Sequence, residues 1–210
     1  GPLPAPPPLS APLFEQRIAG GIAVDTRSAA AFGAAHVPGA LSIWLEGLPN
    51  FAGWFIPYDR PILLVIEGDD PTTAVRYLLR LGYDNIAGYL SGGMLAWYTA
   101  GKESTSIDTV AVQDLCHHVD AGRPAWILDV RSSEELQTEG RITSAHHIHI
   151  TQLPHHIDEV PGHEPVYIFC GSGLRSMIAA SLLRRAGQEN GVVVLGGIAG
   201  WNSNTCPVEL

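Results

Sequence analysis

The apolar run "VYIF" ends on Cys170-Gly171-Ser172-Gly173-Leu174-Arg175-Ser176, which sets a thiol and a guanidinium with four residues between them, two of them glycines. A thiol in that place fits four roles: a packed core group, a metal ligand, a phosphatase-type nucleophile or a sulfur carrier. Gly171 and Gly173 allow positive φ and let the backbone N–H groups of a tight loop point inward. The helix expected to begin at the end of the loop, with apolar Leu174, Ile178 and Leu182, adds unpaired N–H groups and a partial positive charge. Arg175 adds a full one. Electropositive settings of this kind favour the thiolate over the thiol, so the loop is suited to a negatively charged group on or beside sulfur. Loops that enclose phosphate need five residues between Cys and Arg. With four, the smaller ring suits the terminal sulfur of a persulfide better.

The elements that must position this loop occur twice. "VDTR" at Val24–Arg27 returns as "LDVR" at Leu128–Arg131, and "SGGMLAW" ending at Trp97 returns as "LGGIAGW" ending at Trp201, both displaced by 104 residues. "RPILLVI" parallels "EPVYIFC", and "YLLRLGY" parallels "LLRRAGQ". Four ordered matches define a tandem duplication jointed near residues 101–108. The runs "IAVDT", "WILDV", "LLVI", "VYIF" and "VVVL" read as buried parallel strands. "TTAVRYLLRLG" and "RSMIAASLLRRAG" read as helices ending at Gly82 and Gly187. Strands alternating with helices predict α/β domains with a mainly parallel sheet, where ligands sit at the carboxyl ends of strands. Cys170 lies at such an end.

These motifs resemble the rhodanese (thiosulfate sulfurtransferase) superfamily over almost the whole chain. The resemblance is carried by "LDVRSSEEL", "CGSGLRS" and "LGGIAGW" in the second copy, and by "VDTRSAAAFGAAHVPGALSI" and "SGGMLAW" in the first. It implies two tandem rhodanese-like domains, each a small five-stranded mainly parallel sheet with helices on both faces. Their expected bounds are 14–103 and 108–210, after a Pro-rich linker or cleavage scar over 1–13. It also implies a sulfurtransferase in which Cys170 accepts sulfur and residues 171–176 form the backbone cradle, with Arg175 aiding the anionic donor. No cofactor is implied beyond the covalent persulfide. The partners implied are a small anionic sulfur donor and a thiol or cyanide acceptor. "FAGWFIPYDRPILLV" further resembles the first rhodanese domain of bacterial proteins that fuse a metallo-β-lactamase-fold persulfide dioxygenase to tandem rhodanese domains. An upstream domain of that kind is therefore an expected partner.

The first copy departs at the decisive point. Its equivalent of Cys170 falls near Ile66, and Glu67, Asp69 and Asp70 would repel an anionic donor, so a catalytically silent half is expected. In the second copy Arg141 and Ser144 stand where the family prefers His and Gly, which puts the structural role of that segment in question. Other readings of the fold are a docking module without chemistry and a thiol-dependent phosphatase or arsenate reductase.

The remaining candidates favour blander roles. Cys116 in "QDLCHHVD" is expected in the core, and Cys206 is expected to be an exposed bystander. His117, His118, His146, His147, His149, His155, His156 and His163 form no zinc pattern, so no metal site is expected. Trp97 and Trp201 are expected to pack beneath the loop, and Trp44, Phe51, Trp54 and Phe55 to form a core or interdomain cluster.

Composition narrows the classes further. The 210 residues suffice for two domains of about 100 residues each. A hydrophobic content of 46%, against 16% charged, fits globular domains. A net charge of −9 with no basic run argues against nucleic acid or anionic membrane as partners. No apolar run approaches the roughly 18–20 residues of a membrane span. Three cysteines make a poor disulfide framework, so a reducing, cytoplasmic setting is expected.

Overall fold

The computed structural model describes residues 5–210. The chain divides into two compact units between Ser106 and Ile107. The first unit runs β1 (Pro8–Leu9), α1 (Ala11–Ile18), β2 (Ile22–Asp25), α2 (Ala29–Ala34), β3 (Leu41–Ser42), α3 (Leu48–Phe55), β4 (Ile62–Val65), α4 (Thr72–Arg80), β5 (Ile86–Leu90) and α5 (Gly93–Thr99). The second runs β6 (Asp108–Ala111), α6 (Val112–Asp120), β7 (Trp126–Asp129), α7 (Ser133–Glu139), β8 (Arg141–Ile142), β9 (Ala145–His147), β10 (Val166–Phe169), α8 (Leu174–Arg185), β11 (Gly191–Leu195), α9 (Gly197–Gly200) and β12 (Val208–Glu209).

Each unit is an α/β domain built on one five-stranded sheet with helices on both faces. The strand orders are β1-β5-β4-β2-β3 and β6-β11-β10-β7-β9. Every pairing within them is parallel. Strands covered on both faces must be apolar throughout, and all four residues of both β2 and β4 are buried. Each aliphatic side chain buried there contributes about 1.5–3 kcal/mol. The duplication is equally visible in the helix ends. Tyr83 and Gly82 donate backbone N–H bonds to Leu78 and Leu79, and Gln188 and Gly187 repeat them to Leu183 and Arg184. With Gly82 and Gly187 near φ 90°, both are Schellman ends.

Three expectations need revision. Residues 8–13 are not linker: Pro8–Leu9 pairs in parallel with Tyr89–Leu90, and Pro12 sits in the first turn of α1. Proline suits both places, because an edge strand and a helix start can each spare an N–H. Residues 1–4 of that predicted linker lie outside the described residues. Cys206 is not exposed but 6% accessible, packed with Cys116, Leu115 and Phe169. The stripe expected on α8 is instead burial nearly all round, Ser176 and Ser181 included, with Leu174 at the rim.

The segment around Arg141 and Ser144 keeps a defined structural role despite its departures. Arg141 pairs with Glu209 in the antiparallel β8–β12 ribbon, as His36 bridges Thr105 in the first unit. Ser144 Oγ lies 3.0 Å from Cys206 Sγ. Among the described residues no helix is long and apolar enough to cross a membrane.

Candidate active site

β10 delivers Cys170 to the carboxyl end of its sheet, between the ends of β7 and β11. The floor beneath it is a buried ion pair. Arg131, with no exposed surface, grips both Asp129 carboxylate oxygens at 2.7–3.1 Å and donates to the Gly140 carbonyl at 2.9 Å. Its guanidinium carbon lies 5.8 Å from the centre of the Phe169 ring. Trp201 meets the same ring edge-on at 5.7 Å and packs with it against the core cluster of Cys116 and Cys206. Trp97 is buried against Phe14 and donates to the Glu103 carbonyl. Phe51 and Phe55 stack along α3 and Trp44, which precedes that helix, packs on Phe51, while Trp54 is 62% exposed.

A second brace comes from the turn after β11. Gly196 N–H donates to the Ser172 carbonyl and Ile198 N–H to the Cys170 carbonyl, both at 3.1 Å. Gly197, at φ 51°, lies so close that a Cβ there would overlap the carbonyl oxygens of Cys170 and Gly171. The Gly-Gly pair is therefore a contact surface for the loop, which its repetition in sequence did not disclose.

Within the loop, the six candidate cradle residues differ in what they do. Gly173, at φ 114°, turns its N–H onto Cys170 Sγ at 3.1 Å. Gly171 does not use positive φ. Its value is space, since a Cβ would stand 3.2 Å from the Arg175 guanidinium. Ser172 is tied through its carbonyl, and Leu174 opens α8 with 37% exposure. Ser176 is fully buried, and its hydroxyl has no hydrogen-bond partner among the described residues. Cys170 itself is 1% exposed.

Arg175 does not stand free above the sulfur. Its two terminal nitrogens donate to the two oxygens of Glu135 at 2.6 and 2.5 Å. Glu135 is held in turn by the start of α7. Ser132 N–H donates to Glu135 Oε2 at 2.8 Å and Glu135 N–H to Ser132 Oγ at 3.2 Å, a capping box. The Arg175 guanidinium, joined by the Ser132 bonds, draws the Glu135 carboxyl down from 4.5 to about 2. Glu135 in turn raises the affinity of Arg175 for its proton, with Cys170 adding to the effect. His149 stands within electrostatic reach of both. Burial first, and then the Arg175 charge, lowers its proton affinity, and its Nδ1 lies 2.8 Å from Thr151 Oγ1.

This pairing predicts an acid response. A carboxyl held below its unfolded value contributes stability above pH 4.5 that is lost as pH falls toward about 2. The bridge is partly exposed to solvent, at 21% and 25% for its two side chains, so screening leaves about 1 kcal/mol. Unfolding free energy should therefore fall more steeply from pH 5 to 3 in wild type than in Glu135→Gln. Parallel acid profiles would contradict the linkage.

The first unit repeats the scaffold without the cysteine. Asp25 and Arg27 reproduce the buried fork at 2.7–3.1 Å, and Gly92 and Gly93 reproduce the positive-φ turn. Burial pushes the Asp25 carboxyl up, against the pull of Arg27. Ile66 stands where Cys170 stands in the second unit, and Glu67 and Asp69 line the cavity beside it. Among the described residues, no three His, Cys, Asp or Glu side chains converge as a metal site.

Comparison with known proteins gives the same division. The rhodanese-like domain family matches residues 10–100 and again 111–204. "Putative sulfurtransferase YtwF" of Bacillus subtilis is 30% identical over 105 residues, covering 50% of this chain and 97% of YtwF. "Putative sulfur carrier protein YrkF" of the same organism is 27% identical over 106 residues, covering 50% of this chain and 57% of YrkF. Among solved structures, a rhodanese-like domain protein of Staphylococcus aureus is 26% identical, with a TM-score of 0.44. That match covers 50% of this chain and all of that one.

Proposed function

The chain belongs to the rhodanese family in both of its halves, and from that premise we propose that the second half transfers sulfane sulfur through a persulfide on Cys170. The observation that carries the proposal is the Gly173 N–H aimed at Cys170 Sγ at the start of α8, in a loop too small for a phosphate cradle. The Cys170 thiolate attacks the outer sulfur of a donor. With thiosulfate, the S–S bond breaks toward sulfite, which leaves with the bonding pair, and Cys170 keeps one sulfur as Cys–S–S⁻. A thiolate or cyanide then attacks that outer sulfur and Cys170 leaves as thiolate. With the thiolate of Cys170 as nucleophile, the transfer itself moves no proton and calls for no separate general base.

The first half serves as a silent scaffold or docking domain in this proposal, because Ile66 offers no nucleophile. The resemblance of "FAGWFIPYDRPILLV" to dioxygenase fusions supports a low-molecular-weight persulfide as donor and a metallo-β-lactamase-fold partner domain. Three free thiols fit a reducing, cytoplasmic setting.

Steady-state assays with thiosulfate or glutathione persulfide as donor, and cyanide as acceptor, test the proposal. Thiocyanate should form with ping-pong kinetics, seen as parallel double-reciprocal lines. No turnover with either donor, or hydrolysis of an aryl phosphate that depends on Cys170, would overturn it.

A further inference from the structure

The charges around the loop cancel in a way that bears on the choice of donor. Arg131 is neutralised by Asp129 beneath the loop. His149, the imidazole within reach of Arg175, is held toward its neutral form. The remaining cation at the loop among the described residues, Arg175, is forked onto Glu135 through both terminal nitrogens. Glu135 is also fixed from behind by the Ser132 N–H, so its carboxylate cannot swing away without breaking the α7 cap. An incoming dianion must displace or share Arg175 against a carboxylate already seated on it.

We propose that Glu135 is a specificity-determining positioning residue, which holds Arg175 neutralised and so selects donors whose reacting end carries at most one negative charge over dianionic donors. The favoured class is the alkyl hydropersulfide, R–S–SH. The Cys170 thiolate attacks its outer sulfur, the S–S bond breaks toward R–S⁻, and the proton remains on the new Cys170 persulfide or passes to the released thiol. Neither reactant then places two negative charges beside Glu135. Thiosulfate does, and like charges in a partly buried site repel strongly.

This inference rests on the sulfurtransferase proposal, and one substitution separates the two. Glu135→Gln removes the charge yet keeps a side chain able to complete the capping box, which takes either Glu or Gln. The readout is the ratio of kcat/KM for thiosulfate to that for glutathione persulfide. In Glu135→Gln the ratio should rise by about tenfold or more, mainly through a lower KM for thiosulfate. That gain should shrink as salt is raised, because screening weakens the freed Arg175. A purely structural role for Glu135 would lower both donors together, without dependence on salt. A ratio that stays within about twofold of wild type would overturn the inference while leaving sulfur transfer standing. If wild type uses neither donor, the sulfurtransferase proposal itself fails.

Discussion

Replacing Cys170 by serine should lower sulfur transfer to cyanide by at least about a thousandfold while leaving the fold unchanged. The size of the effect follows from the chemistry. A serine hydroxyl is almost entirely un-ionised near neutrality and forms no stable bond to sulfane sulfur, so the intermediate has no place to form. The fold should tolerate the change because the loop is held from other atoms: the Cys170 carbonyl by Ile198 and the Ser172 carbonyl by Gly196. A serine Oγ could also accept the Gly173 N–H that now points at Sγ. Circular dichroism and thermal melting should therefore match wild type. Full activity in Cys170→Ser would move the chemistry elsewhere. Cys116 and Cys206 are poor substitutes, since both are buried in the core on the α6 side. Burial pushes the Cys116 thiol up, away from the reactive form.

The second large effect is on stability. Asp129→Asn should destabilise the second unit by about 3–5 kcal/mol, because it leaves the buried Arg131 guanidinium without its counter-charge. Asp129 is 1% and Arg131 0% exposed, so water cannot take over the lost role. The partners that remain are the Gly140 carbonyl and Glu139 at 3.4 Å, the latter with a side chain 47% exposed. The damage should reach the site as well. Asp129 is in register with Phe169, the residue before Cys170, and the Arg131 carbonyl lies 2.8 Å from His147 Nε2. Urea unfolding of wild type and mutant gives the difference directly. A loss below about 1 kcal/mol would mean that the pair contributes little beyond a hydrophobic replacement.

Much of the architecture could be read from residues alone, for identifiable physical reasons. β2, β4, β7 and β10 are short apolar runs because both faces of a parallel strand are covered, and the same need repeated them in both halves. The edge strands gave no such signal. β1 is two residues, one of them proline, and β6 is "DTVA" with three of its four residues exposed. An edge strand needs little apolar surface, so its sequence resembles a loop. Cys206 misled for a related reason: its burial depends on the β8–β12 ribbon folding the tail back, a contact that no local pattern records. Asp120 helps to hold that tail by accepting from Ser203, Asn204 and Thr205.

The site divides along the same line. Cys170, Gly173 and the start of α8 were visible because spacing within one loop is local information. The capping box at Ser132 and Glu135 spans four consecutive residues and by itself fixes only where α7 begins. That its carboxylate also seizes Arg175, 40 residues away, is a tertiary fact. It changes Arg175 from a free anion receptor into half of a neutral pair.

The most direct test of the central claim is the intact mass of the protein after exposure to glutathione persulfide, followed by mapping of the modified peptide. One added sulfur atom should appear on Cys170, disappear on treatment with cyanide, and be absent from Cys170→Ser. An unmodified Cys170 under these conditions, or a sulfur carried on Cys116 or Cys206 instead, would contradict the account.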